Sequence, residues 1–196
     1  MLIDSLLILS SRNLNLRLLK TMGKVQIVEK SRIFQLQVDI ENGRITSENK
    51  EWILSQPLFF QALNDGIEKS FGSGARIICM VAGKNAGRRI VEANNKEIGS
   101  DRRNVLTILE KLFTWMGWGK IQLEDYSEKS QKAIIRIKNS AMARGIRNSS
   151  QKCHLIAGCL AGVFTKIFGV ETSCIETNCA AKGDPYCRFI VKGVKS

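Results

Sequence analysis

Residues 176–189, ETNCAAKGDPYCRF, place a glutamate, two cysteines and a tight-turn sequence close together near the C-terminus. A further cysteine, Cys153, stands at the start of a strongly apolar helical pattern. The Gly-Asp-Pro turn can bring Cys187 back toward Cys179, because these residue types favour reversal of the chain. If these side chains meet, they fix how the last helix and the terminal hairpin are arranged. This segment therefore constrains the possible folds more than any other feature of the sequence.

The four residues of this group have side chains that bind metal ions. Cys153, Glu176, Cys179 and Cys187 have the ligand types and number of a closed tetrahedral Zn²⁺ site. Seven residues separate the two loop cysteines, which is not a usual finger spacing, and cysteine is among the most buried residue types. The spacing therefore leaves two alternatives, a metal site and ordinary core cysteines.

The remaining cysteines and the single histidine fit a different interpretation. Cys79, Cys159 and Cys174 lie in apolar patterns, so we predict that they belong to the core. His154 follows Cys153 and points about 100° further round a helix. We interpret it as a solvent-facing or hydrogen-bonded histidine and not as a ligand.

Composition and the N-terminal sequence indicate whether these thiols lie in a reducing or an oxidising compartment. Apolar residues make up 44% of the chain, which predicts a folded protein. No segment reaches the roughly 20 apolar residues of a membrane helix. The N-terminal MLIDSLLILS contains Asp4 and lacks a basic start and a cleavage site. We therefore expect a cytoplasmic protein with reduced thiols.

The net charge of +12 makes a polyanionic partner possible. A solvated, self-repelling surface explains the same charge without any partner. The candidate nucleic-acid-binding residues are Arg88, Arg89, Arg102, Arg103, Arg144 and Arg147.

The first third of the chain has weaker patterns. Residues 1–32 lack a clean period, and we interpret them as an N-terminal extension, part helix, that contributes to dimerisation. Residues 33–40 alternate as a half-buried strand, and the Asn-Gly of ENGR predicts that residues 44–47 pair back.

From Pro57 onward the patterns are stronger. Three helices are predicted, over residues 57–72, 75–95 and 103–116. Gly83 and Gly87 share one side of the second, which indicates close approach of a neighbour. Two strands follow in residues 117–126 and 132–140. A helix over 151–168, capped by Ser149 or Ser150 and ended by Gly169, precedes strands at 170–177 and 187–192.

The segment 153–191, from CHLIAGCLAG to YCRFIV, resembles the C-terminal part of the vinyl-4-reductase domain family. The shared motif is a cysteine that opens a helix, then Glu-x-x-Cys, Gly-Asp and a final Cys with an aromatic after it. ENGRI and AGKNAGRRI resemble the front of the domain, so the resemblance covers residues 33–193. The family includes sensor domains of phenol- and xylene-responsive activators and stand-alone archaeal proteins, and it is related to Golgi tethering subunits.

The resemblance implies a mixed α/β (α+β) fold in which an antiparallel sheet packs with helices, of the nitric-oxide-signalling and Golgi-transport type. It implies a structural Zn²⁺ held by Cys153, Glu176, Cys179 and Cys187, because the corresponding positions of the aromatic-sensing members bind zinc. Three thiolates and one carboxylate leave no open position for a catalytic water.

The resemblance also implies a pocket for a small apolar or aromatic molecule. Candidate wall residues, for each of which plain core is the simpler single explanation, are Phe60, Met80, Phe113, Trp115 and Trp118. The phenol sensors hold the phenolic hydroxyl with a histidine and a tryptophan. This chain has only His154, and Lys132 without a tryptophan in the matching strand, so phenol is not the expected ligand.

Three functions remain open. The first is a sensor or carrier domain, homodimeric and regulatory through a partner. The second is a nucleic-acid-binding protein, which strong salt dependence would reveal. The third is an enzyme or accessory factor of tetrapyrrole vinyl reduction. The sequence lacks a nicotinamide or flavin fingerprint in the required strand-to-helix context, so we expect a non-enzymatic role.

Overall fold

The computed structural model describes residues 17–21, 24–28, 36–47, 50–95, 104–148 and 150–194. The chain divides into two compact units, residues 1–55 and residues 56–196. In the described ranges, no helix combines the length and apolar character that a membrane crossing requires.

The first unit contains a five-stranded antiparallel sheet in the order β1-β2-β3-β4-β5. Its strands are β1 (Arg17–Thr21), β2 (Lys24–Val28), β3 (Leu36–Asp39), β4 (Arg44–Ser47) and β5 (Lys50–Trp52). The predicted hairpin is confirmed, because Asp39 pairs with Arg44 across a turn in which Gly43 has a φ of 64°.

The described part of residues 1–32 consists of strands, at 17–21 and 24–28, and the helical part that was predicted for this segment is not among the described residues. KVQIV alternates apolar and polar residues and is rich in β-branched side chains, which favour a pleated sheet. Residues 1–16 and 29–35 lie outside the described residues. The proposed boundary at residue 32 and the dimerisation role of the extension stay predictions.

In its described residues the second unit begins with three α-helices, all of which the sequence predicted. They are α1 (Pro57–Phe71), α2 (Ala75–Ala93) and α3 (Asn104–Trp115). Pro57 opens α1, where a missing N–H costs nothing. The buried residues of α3, Val105, Leu109 and Phe113, repeat every four positions and form one face.

The rest of the unit is a four-stranded antiparallel sheet with one long helix. Its elements are β6 (Lys120–Ser127), β7 (Lys132–Lys138), α4 (His154–Phe168), β8 (Thr172–Asn178) and β9 (Cys187–Gly193). The strand order is β6-β7-β9-β8. One face of the sheet is buried with the apolar side of α4 in a single core, which includes Ile135, Phe189 and Phe164. The predicted α+β architecture with an antiparallel sheet is confirmed.

Helix α4 packs on α2 at very short range through small residues. A Cβ added at Gly162 would collide with the carbonyl oxygen of Lys84 and lie 3.0 Å from the backbone nitrogen of Arg88. Gly83 on α2 meets the backbone of α4 in the same way. The prediction that the glycines of α2 permit close approach is therefore confirmed.

The start of α4 differs from its prediction, whereas its end agrees. The helix begins at His154 with Cys153 as N-cap residue, so a cap at Ser149 or Ser150 is wrong. The hydroxyl of Ser150 donates instead to Asn148 Oδ1, at 2.9 Å. Gly169 ends the helix with a φ of 71°, as predicted.

Candidate functional site

The four residues singled out in the sequence meet in the folded chain. One ligand atom from each of Cys153, Glu176, Cys179 and Cys187 lies within 4.8 Å of every other, and all four residues are buried. The sulfur atoms of Cys153 and Cys187 are 3.5 Å apart. We call these four residues the cysteine cluster.

The loop between β8 and β9 is shaped to return the chain to this cluster. The pairing of the two strands is interrupted between Glu176 and Asn178, after which Cys179 lies in extended conformation. The carboxylate of Asp184 accepts hydrogen bonds from the backbone nitrogen of Cys179, at 2.7 Å, and from the side chain of Asn178. Gly183 adopts a φ of 104°, which glycine tolerates best. The sequence KGDP thereby brings Cys187 next to Cys179.

The α4 end of the cluster is held by hydrogen bonds to its backbone and to its thiol. The backbone nitrogen of Cys153 donates to Glu176 Oε2 at 3.3 Å, and Ser140 Oγ lies 3.4 Å from Cys153 Sγ. Gln151 donates to the backbone oxygen of Glu176 at 2.6 Å. These contacts place the carboxylate over the first turn of α4.

The electrostatics of the cluster favour a cation at its centre. Burial, followed by the charge of Cys179, raises the pKa of Glu176 to about 8. Hydrogen bonds from Cys153 and Cys187 hold the pKa of Cys179 well below its ordinary value. Glu176 Oε1 is buried, and it has no hydrogen-bond partner among the residues that the structure describes. An orphaned carboxylate oxygen beside three buried sulfurs is costly without a positive partner, so this donor set fits a soft divalent metal ion.

The basic residues next to the cluster point elsewhere. Lys152 is almost fully buried, and its ammonium group contacts Asp65 at 3.3 Å and Glu68 at 2.5 Å, both on α1. Arg188 pairs with Glu124 of β6 at 2.8 Å. Lys152 therefore connects the cluster to α1 and does not neutralise the cluster.

The other cysteines and the histidine lie outside the group of potential ligands. Cys79 and Cys174 are buried in the core, as predicted. Cys159 packs against the core while partly exposed, and burial raises the pKa of its thiol to about 12. His154 is half-buried, and burial first, then Arg76, lowers its pKa.

A cavity of about 120 Å³ lies between α3 and the four-stranded sheet, and Phe164 of α4 borders it. We call it the α3 cavity. Its apolar lining comes from α3, the sheet and α4. Its polar lining comes from Thr107 and Glu110, two exposed residues of α3. The lining residues are Leu106, Thr107, Leu109, Glu110, Ile121, Leu123, Ile135 and Phe164.

None of the five candidate wall residues lines the α3 cavity. Phe60 and Phe113 each contact Trp118, with ring centroids 5.0 Å and 6.3 Å apart. Met80 packs against the core from a partly buried position, and Trp115 is half-buried. The sequence of α3 has an amphipathic pattern whose apolar face includes Leu106 and Leu109, but such a pattern does not show where two packed surfaces leave a gap.

The six candidate arginines have different surroundings. Arg88 forms an ion pair with Glu171. The guanidinium of Arg144 donates to the backbone oxygens of Gly117 and Asn139, at 3.1 Å and 2.8 Å. Arg89 and Arg147 are exposed. Arg102 and Arg103 lie outside the described residues.

Three solved structures share this fold. The phenol-responsive sensory domain of the transcription activator PoxR, solved with phenol, has a TM-score of 0.68 at 20% identity, covering 81% of this chain and 84% of that one. Subunit 3 of the trafficking protein particle complex from Naegleria fowleri, covalently bound to palmitic acid, has a TM-score of 0.58 at 12% identity, covering 71% and 93%. An H-NOX protein from S. oneidensis has a TM-score of 0.51 at 9% identity, covering 76% and 83%. These likenesses confirm the predicted fold type.

Sequence comparison finds relatives and a family. The uncharacterized protein MJ0150 of Methanocaldococcus jannaschii is 28% identical over 134 residues, which are 68% of this chain and 73% of that protein. The family model of the vinyl-4-reductase domain matches residues 133–193, a segment that contains the whole cysteine cluster. The resemblance inferred from the cysteine motif is thus confirmed, and residues 133–193 of this chain match the vinyl-4-reductase domain family.

Proposed function

We propose that this protein is a ligand-binding domain of the sensor or carrier type, which takes a small apolar molecule in the α3 cavity and is held together by a structural Zn²⁺ in the cysteine cluster. The α3 cavity is the observation that carries the first part of the proposal. The match to the vinyl-4-reductase domain family and the likeness to a domain that responds to phenol support it.

The size and lining of the α3 cavity suit an apolar molecule about as large as a single aromatic ring. Enclosed apolar cavities of about 150 Å³ lined by leucine, isoleucine and phenylalanine bind benzene. The α3 cavity has a similar volume of about 120 Å³ but is open to solvent on one side, where Thr107, Glu110 and Leu123 are exposed. Leu109, Ile135 and Phe164 are buried and form an apolar floor. Thr107 and Glu110 offer polar atoms that could orient one polar substituent.

The proposed Zn²⁺ explains why three cysteines and a carboxylate are buried together. Three thiolates and one carboxylate supply a tetrahedral shell, so the ion would serve the fold and leave no position for a substrate. It would supply the positive charge that the buried Glu176 lacks. Its ligands come from the start of α4 and from both strands of the terminal hairpin.

The cluster and the α3 cavity share structural elements. Phe164 of the cavity wall lies on α4, whose N-cap residue is Cys153. Ile135 of the wall lies on β7, which pairs with β9 along Ile135↔Phe189 and Ile137↔Cys187. An ion that joins α4 to β9 therefore fixes two walls of the cavity, and its loss should change ligand affinity. Regulation through a partner protein and a homodimeric state stay predictions.

Filling the α3 cavity is expected to abolish binding of a small apolar probe. Leu106→Trp places an indole in a volume of about 120 Å³, which leaves no room for a ring. Titration calorimetry with benzene or toluene is expected to give binding for the unmodified protein and at least a tenfold loss for the variant. The control is Leu112→Trp, at a half-buried residue of the same helix that does not line the cavity. Equal binding by all three proteins would contradict the assignment of the cavity.

Chelation is expected to loosen the C-terminal hairpin first and to weaken binding of the probe. The binding energy of a structural ion contributes to folding of the elements it joins. Hydrogen exchange with and without a chelator should show loss of protection in residues 170–194 while α2 stays protected. A uniform loss across the described residues, or no change, would refute this coupling.

A further inference from the structure

The outward side of the four-stranded sheet is strongly basic. Side chains alternate across the sheet, so Ala133, Ile135 and Ile137 of β7 are buried while the intervening residues face outward. We call the outward-facing residues of β6, β7, β8 and β9 the outer sheet face. Three directly opposed pairs on it carry two positive charges each. The pairs are Lys120 with Lys138, Arg136 with Arg188, and Lys132 with Lys192.

Opposed like charges destabilise a sheet, and only part of this repulsion is offset. Glu124 pairs with Arg136 at 3.3 Å and with Arg188 at 2.8 Å, and Asp125 pairs with Lys132 at 3.1 Å. Within the part of the chain that the structure describes, Lys120, Lys138 and Lys192 have no acidic partner. Six cations and two carboxylates leave this face with a net charge of +4.

An apolar row crosses the same face between the basic pairs. Ile134, Ile190 and Ile175 are opposite one another on three neighbouring strands, and Ile175 is 49% exposed. Tyr186 lies at the edge of this face, with the Arg136 guanidinium 5.1 Å from its ring centroid. Consecutive outward rows are about 7 Å apart, because each is two residues along the strand from the next.

We propose that the outer sheet face binds single-stranded nucleic acid, a function beyond the ligand binding proposed above. Phosphate groups would contact the lysines and arginines on either side of the apolar row. Unpaired bases would lie on the isoleucine row and on the stacked Tyr186 and Arg136, since exposed bases pack on aromatic rings and guanidinium planes. A single strand fits because a duplex would keep its bases away from the apolar row.

A lipid surface fits this face less well. The isoleucines Ile134 and Ile190 are half-buried among longer charged side chains. A flat base can enter between those side chains and contact the isoleucines, whereas the isoleucines cannot insert into the acyl region of a bilayer. The basic pairs favour a partner with regularly spaced anionic groups, and the isoleucine row between them favours one that also has flat apolar groups. A single-stranded polynucleotide has both.

The test is fluorescence anisotropy with labelled single-stranded RNA and DNA probes of about 12 nucleotides, measured over a range of salt concentrations. Lys120→Gln with Lys138→Gln is expected to weaken binding and to reduce the slope of log K against log salt by about 1.4, at about 0.7 for each phosphate that is no longer neutralised. Ile175→Ser is expected to weaken binding without changing the slope. The matched control is Lys69→Gln with Lys111→Gln, two exposed lysines on α1 and α3, which should behave as the unmodified protein.

Circular dichroism and thermal melting of each variant establish that the fold is intact, and all substitutions are at surface positions. Three results would overturn the proposal. These are no binding of either probe at low salt, equal loss of affinity in the control and test variants, or binding confined to vesicles of anionic lipid with none to the polynucleotides.

Discussion

Replacement of Cys179 by serine is expected to abolish binding of the proposed Zn²⁺ and to destroy cooperative folding of the C-terminal half. Structural zinc in small domains contributes about 10–16 kcal/mol of apparent binding free energy, whereas whole domains are stable by only about 5–15 kcal/mol. Cys179 is one of only four buried potential ligands that meet in the described residues, so its loss leaves a proposed tetrahedral site one ligand short. Urea unfolding followed by circular dichroism should show loss of the transition or a stability lower by several kcal/mol.

The control for this experiment is Cys159→Ser, which changes a cysteine of α4 outside the cysteine cluster. Burying a hydroxyl there costs about 1–3 kcal/mol, and the variant should keep its metal. If Cys179→Ser unfolded like Cys159→Ser, the cluster would not hold an ion of structural importance.

Replacement of Gly162 by alanine is expected to have the second large effect, a loss of at least about 3 kcal/mol. The added methyl group would overlap the carbonyl oxygen of Lys84, and a backbone atom cannot rotate away as a side chain can. Helices α2 and α4 would have to separate along an interface that underlies the core. For a chain of this size the melting temperature should fall by about 6–12 °C.

Gly66→Ala provides a matched control for Gly162→Ala. Gly66 lies within α1, and a Cβ added there would meet no atom within 4 Å. Because alanine favours a helix over glycine by about 1 kcal/mol, this variant should be as stable as the unmodified protein or more so. A similar melting temperature for Gly162→Ala and Gly66→Ala would show that the two helices do not pack as closely as described.

The elements with strong periodicity were predictable from sequence. Helix α3 and strands β6 to β9 follow from local patterns that bury one face. Helix α1 follows from its boundaries, Pro57 at its start and Gly72 after its end, and α2 from the long stretch without proline that follows Gly74. Gly83 and Gly87 indicated a close neighbour. The sequence did not show that this neighbour is the backbone of α4 around Cys159, since pairing of helices depends on contacts distant in sequence.

Features that depend on tertiary contacts were missed. The start of α4 was placed too early, because the N-cap is Cys153, whose backbone nitrogen is bound by Glu176. Strands β1 and β2 were interpreted as part of a partly helical extension because residues 1–32 lack a clean period. The α3 cavity was not predicted, since Ile121 and Phe164 belong to elements whose separation no local pattern records.

The four residues of the cysteine cluster, by contrast, are recognisable from the sequence alone. Spacing left metal binding and core packing as alternatives, and the family motif favoured metal. The structure places the four ligand atoms within 4.8 Å of one another. What the sequence could not provide is the surrounding frame, in which Asp184, Gln151 and Ser140 position the cluster through hydrogen bonds.

The most direct test of the structural zinc is X-ray absorption at the zinc edge, combined with elemental analysis, on folded protein prepared without chelator. We expect one zinc per chain, with three sulfur atoms at about 2.3 Å and one oxygen at about 2.0–2.2 Å. Folded protein without stoichiometric zinc, or with a first shell of nitrogen and oxygen only, would contradict the proposed site.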